Sequence, residues 1–225
     1  MGESRHRLPE MPPLANAGLR AFGCRRRTSQ SRQATANAVC IRADVDDPPL
    51  HAIILRVELN APAADFELRD VDGRPRRLKD QRGRIVILNF WSCECPHSER
   101  TDGALMDLCS NLDGQVILIS VASNRPEPPE KIASVSRSRR LPVVLLDPEQ
   151  AVADLYAAQT TPEVFIIDRA GMLRYRGAVD DVTFRQRHPS RSFVREAVEA
   201  VLRDELPLMP ETPAHGCAIV REALE

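Results

Sequence analysis

The sequence predicts an α/β sandwich, with a mixed central β-sheet flanked by helices and opened by an N-terminal β-hairpin. Three observations predict it. Strand and helix patterns alternate from about residue 62 onward in the order β-α-β-α-β-α-β-β-α. Residues 84–91 (RIVILNFW) and 115–122 (QVILISVA) are continuous apolar runs, as expected of strands covered on both faces. Residues 164–167 and 173–179 flank Asp168-Arg-Ala-Gly171, an antiparallel hairpin pattern that makes the sheet mixed.

The elements follow in order. Residues 66–71 and 76–78 flank Asp72-Gly73, a turn signal for the opening hairpin. After the first buried strand, a helix is predicted over 96–112, with Leu105, Leu108, Cys109 and Leu112 on one face. The second buried strand leads to a short polar helix over 129–139, a strand at 142–146 (PVVLL) and another short helix over 149–157. An amphipathic helix over 192–206 closes the domain, with Phe193, Val194, Ala197, Val198, Val201 and Leu202 on its apolar side. These elements define a domain over 57–206. Residues 207–225 carry Pro207, Pro210 and Pro213 and read as a loose tail containing Cys217.

Composition agrees with a folded body. The 225 residues are 43% hydrophobic and 28% charged, enough for a core and too apolar for wholesale disorder. No apolar run approaches 18 residues, which excludes a chain built around helical membrane spans. Net charge is −1 but uneven: residues 1–56 hold nine Arg against five acids, leaving the body mildly acidic. That body carries no footprint for nucleic acid. Residues 1–56 read as a poorly structured basic extension, rich in proline and without sustained apolar periodicity. Its segment 11–43, with six Arg and no acid, has a composition similar to an organelle transit peptide. No apolar stretch follows a basic opening as a secretory signal would, so a cytoplasmic, reducing setting is the expectation.

Six cysteines (Cys24, Cys40, Cys93, Cys95, Cys109 and Cys217) are too few for a disulfide scaffold at this length. Three fall within seventeen residues, which favours specific thiol chemistry. Zinc is not expected, because no second cysteine pair accompanies Cys93 and Cys95. Cys24 and Cys40 are read as incidental, and Cys109 as core filler on its helix face.

The informative segment is Asn89-Phe-Trp-Ser-Cys-Glu-Cys-Pro-His-Ser-Glu99, where a strand feeds directly into a helix. Pro96 suits the first helical position, so Cys95 falls at the N-cap. Unpaired amide donors and the positive end of the helix dipole there favour thiolate over thiol, and the thiolate is the nucleophile. His97, on the first turn, reads as solvent-facing or as a proton mover near the sulfur. Trp91 reads as a packing ring beside the site.

The arrangement NFW…CPHS resembles the thioredoxin-like redoxins. That group includes the alkyl hydroperoxide reductase/thiol-specific antioxidant relatives and the membrane-tethered thiol–disulfide oxidoreductases. Thr160-Thr-Pro-Glu-Val-Phe-Ile-Ile-Asp168 is similar to the family's cis-proline strand, with Pro162 as that proline. Tyr175-Arg-Gly-Ala-Val-Asp180 and Ala61-Pro-Ala-Ala-Asp-Phe-Glu-Leu68 extend the match to about residues 58–206. The resemblance implies a thioredoxin-like fold and thiol–disulfide exchange at Cys95 without metal or organic cofactor. It also implies a substrate-docking edge at Thr161 and Pro162, with Trp91 beside it. Partners would be protein or low-molecular-weight thiols and disulfides, with no membrane insertion; oligomeric state stays open.

Two departures qualify the family pattern. The usual Cys-x-x-Cys becomes Cys95-Pro-His-Ser98, and Ser98 cannot form a disulfide, so a resolving thiol must come from elsewhere. Cys93 is one candidate, although a Cys-x-Cys bond is strained and Glu94 adds opposing charge. Cys217, in Ala214-His-Gly-Cys-Ala218, is the other. In the peroxidase branch's motif Ser92 fills the hydroxyl position, but Leu88 stands where proline should and Pro162 where an arginine usually is. A peroxiredoxin-like thiol peroxidase is therefore one alternative, and a non-catalytic binding module that lost the Cys-x-x-Cys is another.

Overall fold

The computed structural model describes residues 57–221. The predicted basic extension over 1–56 lies outside the described residues. The elements are β1 (Glu67–Asp70), β2 (Pro75–Arg77), a 3₁₀ turn (Leu78–Gln81), β3 (Ile85–Trp91), α1 (Pro96–Ser110) and β4 (Val116–Ala122). They continue with α2 (Pro129–Ser138), β5 (Val144–Leu146), α3 (Ala151–Leu155), β6 (Thr160–Thr161) and β7 (Glu163–Ile167). The last are β8 (Leu173–Gly177), α4 (Phe193–Leu202) and β9 (Cys217–Ala218).

Seven strands form one mixed sheet in the order β2-β1-β5-β4-β3-β7-β8. β3, β4 and β5 run parallel, while β7 and β8 return antiparallel and the β1–β2 hairpin closes the other edge. The sandwich predicted from the apolar runs is present, with every residue of β3 buried. Side chains of β3 alternate between two cores. Val86, Leu88 and Phe90 pack with Ile119, Phe165 and Tyr156, while Ile85 and Ile87 meet Leu105 and Leu108 of α1 and Val194 and Val198 of α4. Burying each such side chain stabilises the fold by roughly 1.5–3 kcal/mol. Cys109 is half-buried against the second core, consistent with filler, and burial pushes its thiol up to about 11.

Two elements depart from the sequence expectation. The closing helix is predicted over 192–206 but stops at Leu202, because Asp204 takes a left-handed φ of 58°. The Glu205 amide then bonds back to Ala200 O at 2.9 Å, ending the helix with its carbonyls satisfied. The proline-rich segment beyond it, expected to be loose, is held at two places. Thr212 N donates to Arg176 O at 3.1 Å, and Thr212 Oγ1 accepts from Ala178 N at 3.0 Å. Further on, Cys217–Ala218 pairs antiparallel with Thr160–Thr161 as a separate two-stranded sheet. Periodicity over so few residues could not reveal a strand whose partner lies more than fifty positions upstream.

Candidate active site

Cys95 is the N-cap of α1, in extended conformation (φ −79°, ψ 118°), with Pro96 in the first turn. The first helical bond follows from it, Glu99 N donating to Cys95 O at 3.1 Å. Ahead of it, Ser92 folds the strand end into a tight loop. Its Oγ accepts from Glu94 N at 3.2 Å and Cys95 N at 3.1 Å, and donates to the Glu127 carboxylate. Ser98 is fully buried, and its Oγ accepts from Ser92 N at 3.4 Å. Ser92 and Ser98 thus brace the loop that presents Cys95.

The peptide bond between Thr161 and Pro162 is cis, and both residues are buried beside Cys95. Cys95 Sγ lies 3.0 Å from Thr161 O. It also lies 2.8 Å from Cys217 Sγ, because β9 places Cys217 directly opposite Thr161. Gly216 permits that approach: a Cβ there would stand 2.1 Å from Thr161 O. Of the two candidate resolving thiols, the fold brings Cys217 to Cys95.

Cys93 goes elsewhere. Its side chain packs with Trp91, Ala122, Ile132 and Val144, only 5% exposed. Burial, reinforced by the Glu127 carboxylate, pushes its thiol up to about 12. The Cys217 thiol is likewise pushed up to about 12, first by burial and then by its bond to Cys95. Cys95 differs. Burial works to raise it, but hydrogen bonding from the Cys217 thiol, with the amides of Ser98 and Cys217 among the lesser donors, holds it below the ordinary cysteine value. Of the two sulfurs Cys95 is therefore the more readily deprotonated.

Trp91, expected at the docking surface, is wholly buried and offers no face to a substrate. Its Nε1 donates to Asp102 at 3.1 Å, and Arg139 bonds Asp102 at 3.1 Å while stacking 5.7 Å from the ring. Arg139 also donates to Cys93 O at 3.2 Å, tying this cluster to the loop. Burial raises the Asp102 carboxyl, against the lowering pull of Trp91 and Arg139. His97 is exposed on the first turn, and no hydrogen bond joins its ring to Cys95.

Glu127 is the site residue the sequence did not disclose. It is 5% exposed, with Oε2 accepting from Cys93 N at 3.0 Å and Oε1 from Asn124 Nδ2 at 3.0 Å. An acid in the polar, proline-rich run Asn124-Arg-Pro-Glu-Pro reads as solvent-facing. Only the tertiary approach of that run to the Ser92–Glu94 loop gives it a buried role. Among the described residues no cluster of His, Cys, Asp and Glu could hold a metal ion, and no helix is long and apolar enough to cross a membrane.

A seven-stranded mixed sheet, a cysteine at a helix N-cap and a cis-proline against its sulfur together define a thioredoxin-fold redoxin. The chain belongs to the AhpC/TSA family, whose family model matches residues 59–176. It is 31% identical over 119 residues to the thiol-disulfide oxidoreductase ResA of Geobacillus thermodenitrificans (strain NG80-2), covering 52% of this chain and 68% of that one. A crystal structure of an uncharacterized conserved protein from Geobacillus kaustophilus superposes with a TM-score of 0.69 at 28% identity, covering 75% of this chain and 95% of that one. A thiol:disulfide interchange protein DsbE from Chlorobium tepidum shares the fold, with a TM-score of 0.53 at 19% identity over 66% of this chain and 97% of that one. Cys217 lies beyond the family match, so the family pattern does not account for it.

Proposed function

We propose that Cys95 and Cys217 are the redox-active pair through which this chain exchanges thiols and disulfides. The chain is a redoxin-type thiol–disulfide oxidoreductase. The observation carrying the pair is the 2.8 Å approach of the two sulfurs, one at a helix N-cap and the other on a strand docked at Thr161. In the reductive direction β9 lifts from Thr161 to open Cys95, whose thiolate attacks one sulfur of a disulfide, breaking that bond and releasing one thiolate. The Cys217 sulfur, giving up its proton, then attacks Cys95 and expels the second thiolate. Two electrons have passed to the substrate, and Cys95–Cys217 is left as a disulfide.

Thr161 and Pro162 position both sulfurs. Ser92, Ser98 and Glu127 hold the loop, while Cys93 and Trp91 pack behind it and His97 lies at the solvent side. The reading carries a cytoplasmic, reducing setting with external thiols and disulfides as partners. Peroxide reduction at Cys95 is the rival of like chemistry. Against it, the Ser92 hydroxyl is already engaged by Glu127 and two amides.

Disulfide reduction, assayed beside hydrogen peroxide consumption, tests the proposal. Cys95→Ser is expected to abolish disulfide turnover, Cys217→Ser to stall at a mixed disulfide on Cys95, and Cys93→Ser to retain activity. Turnover confined to peroxide, or full activity in Cys217→Ser, would overturn it.

A further inference from the structure

The two sulfurs of the pair differ in what can reach them. Cys95 is 2% exposed, enclosed by its own helix start, the Thr161 carbonyl and β9. Cys217 is partly buried but less so than Cys95, and it is flanked by the exposed residues Gly216 and Ala218. The strand carrying Cys217 also occupies the backbone edge on which an extended polypeptide would otherwise pair. Thr160 and Thr161 face Ala218 and Cys217, and Ile219 N donates to Gln159 O at 2.9 Å.

That occupancy is firmly built. Ile219 is buried in the main core. Val220 N donates to Asn124 Oδ1 at 3.0 Å, and Val220 O accepts from Gln150 Nε2 at 2.8 Å. Arg221 bonds Asp154 at 3.0 Å and Ala158 O at 2.8 Å. Upstream, Thr212 is anchored to β8 and Ala178. Cys217 therefore sits on a strap fastened on both sides, and in the oxidised pair the Cys95–Cys217 bond ties that strap over Cys95 as well.

We infer that a low-molecular-weight thiol re-reduces the oxidised pair, and that it attacks at Cys217 rather than at Cys95. The inference rests on the Cys95–Cys217 pair proposed above. The incoming thiolate bonds to Cys217 Sγ, the Cys95–Cys217 bond breaks, and Cys95 leaves as a thiolate. A second thiol then attacks the external sulfur of the mixed disulfide. That step frees Cys217, which takes up a proton, and releases the thiol's own disulfide. Two external thiols are oxidised and one protein disulfide is reduced, so electrons balance.

The test uses the full chain, oxidised and first mapped for its cysteine linkage. Reduced glutathione is added, samples are quenched in acid at short times, and free thiols are alkylated after unfolding. Peptide mapping then locates the glutathione adduct. The expected result is a glutathione adduct on Cys217, in at least about tenfold excess over one on Cys95. A smaller excess, an adduct mainly on Cys95, or reduction without any adduct at Cys217 would overturn the inference. Absence of a Cys95–Cys217 crosslink in the first map would instead bring down the pair itself, and this inference with it.

Discussion

At Cys95 two influences oppose each other on one sulfur. Burial favours the neutral thiol, while the Cys217 thiol and nearby amides favour the thiolate and prevail. Iodoacetamide alkylation of Cys95 followed against pH is therefore expected to show an inflection below the ordinary value of about 8.5. Cys217→Ala removes the strongest of those donors and should move that inflection upward. Glu127 acts through the loop rather than on a substrate. Glu127→Ala leaves Cys93 N without its acceptor in a buried setting, at a cost of about 1–3 kcal/mol. Glu127→Gln keeps much of the bonding but removes a negative charge that helps hold the Cys93 and Cys217 thiols up. Both thiols should then titrate lower, which pH-dependent alkylation mapped by peptide would reveal. At this scale the sequence was legible for the place of Cys95 at the helix N-cap, which follows from Pro96 beside it. It was silent on Glu127, whose buried contacts span more than thirty residues of chain.

β9 is the element on which the pairing of sulfurs depends, and Gly216 is its most sensitive point. Gly216→Val places a Cβ at 2.1 Å from Thr161 O, so the strand must lift or Thr161 must yield. With the strand displaced, Cys95 loses its cover, and its alkylation at fixed pH should accelerate by on the order of tenfold. An unchanged rate would mean that the strand does not shield that sulfur. The long apolar strands β3 and β4 could be read from sequence because burial on both faces leaves an unbroken hydrophobic run. A two-residue strand has no period. Nothing local in Gly216-Cys217-Ala218 names Thr160–Thr161 as its partner, so the tail's prolines suggested looseness where tertiary bonds impose order.

Across the whole molecule, thiols link stability to alkaline pH. Cys93 and Cys217 are pushed up to about 12 and Cys109 to about 11. The folded state keeps these protons where the unfolded chain, titrating near 8.5, releases them. Their contribution is complete below that value and disappears as pH climbs toward 11–12. Cys95 has the opposite sign: its lowered value contributes above the unfolded one and is lost as pH falls through the folded one. Among the described residues three raised thiols outnumber one lowered, so Tm should decline as pH rises above about 8.5, and Cys109→Ala should make the decline shallower. The order of elements along the chain and the mixed sheet were legible at this scale from alternation and apolar runs, whereas the spatial order of the strands was not. The packing of the proline-rich tail against Thr161 was not, because it depends on contacts between segments far apart in the chain.

The central claim is that the reactive sulfur of this redoxin is paired with one delivered by the C-terminal strand. Mild oxidation followed by non-reducing peptide mapping tests it most directly. A crosslink between the peptides bearing Cys95 and Cys217 is the predicted product, whereas a Cys93–Cys95 link, or Cys95 left unlinked, would contradict it.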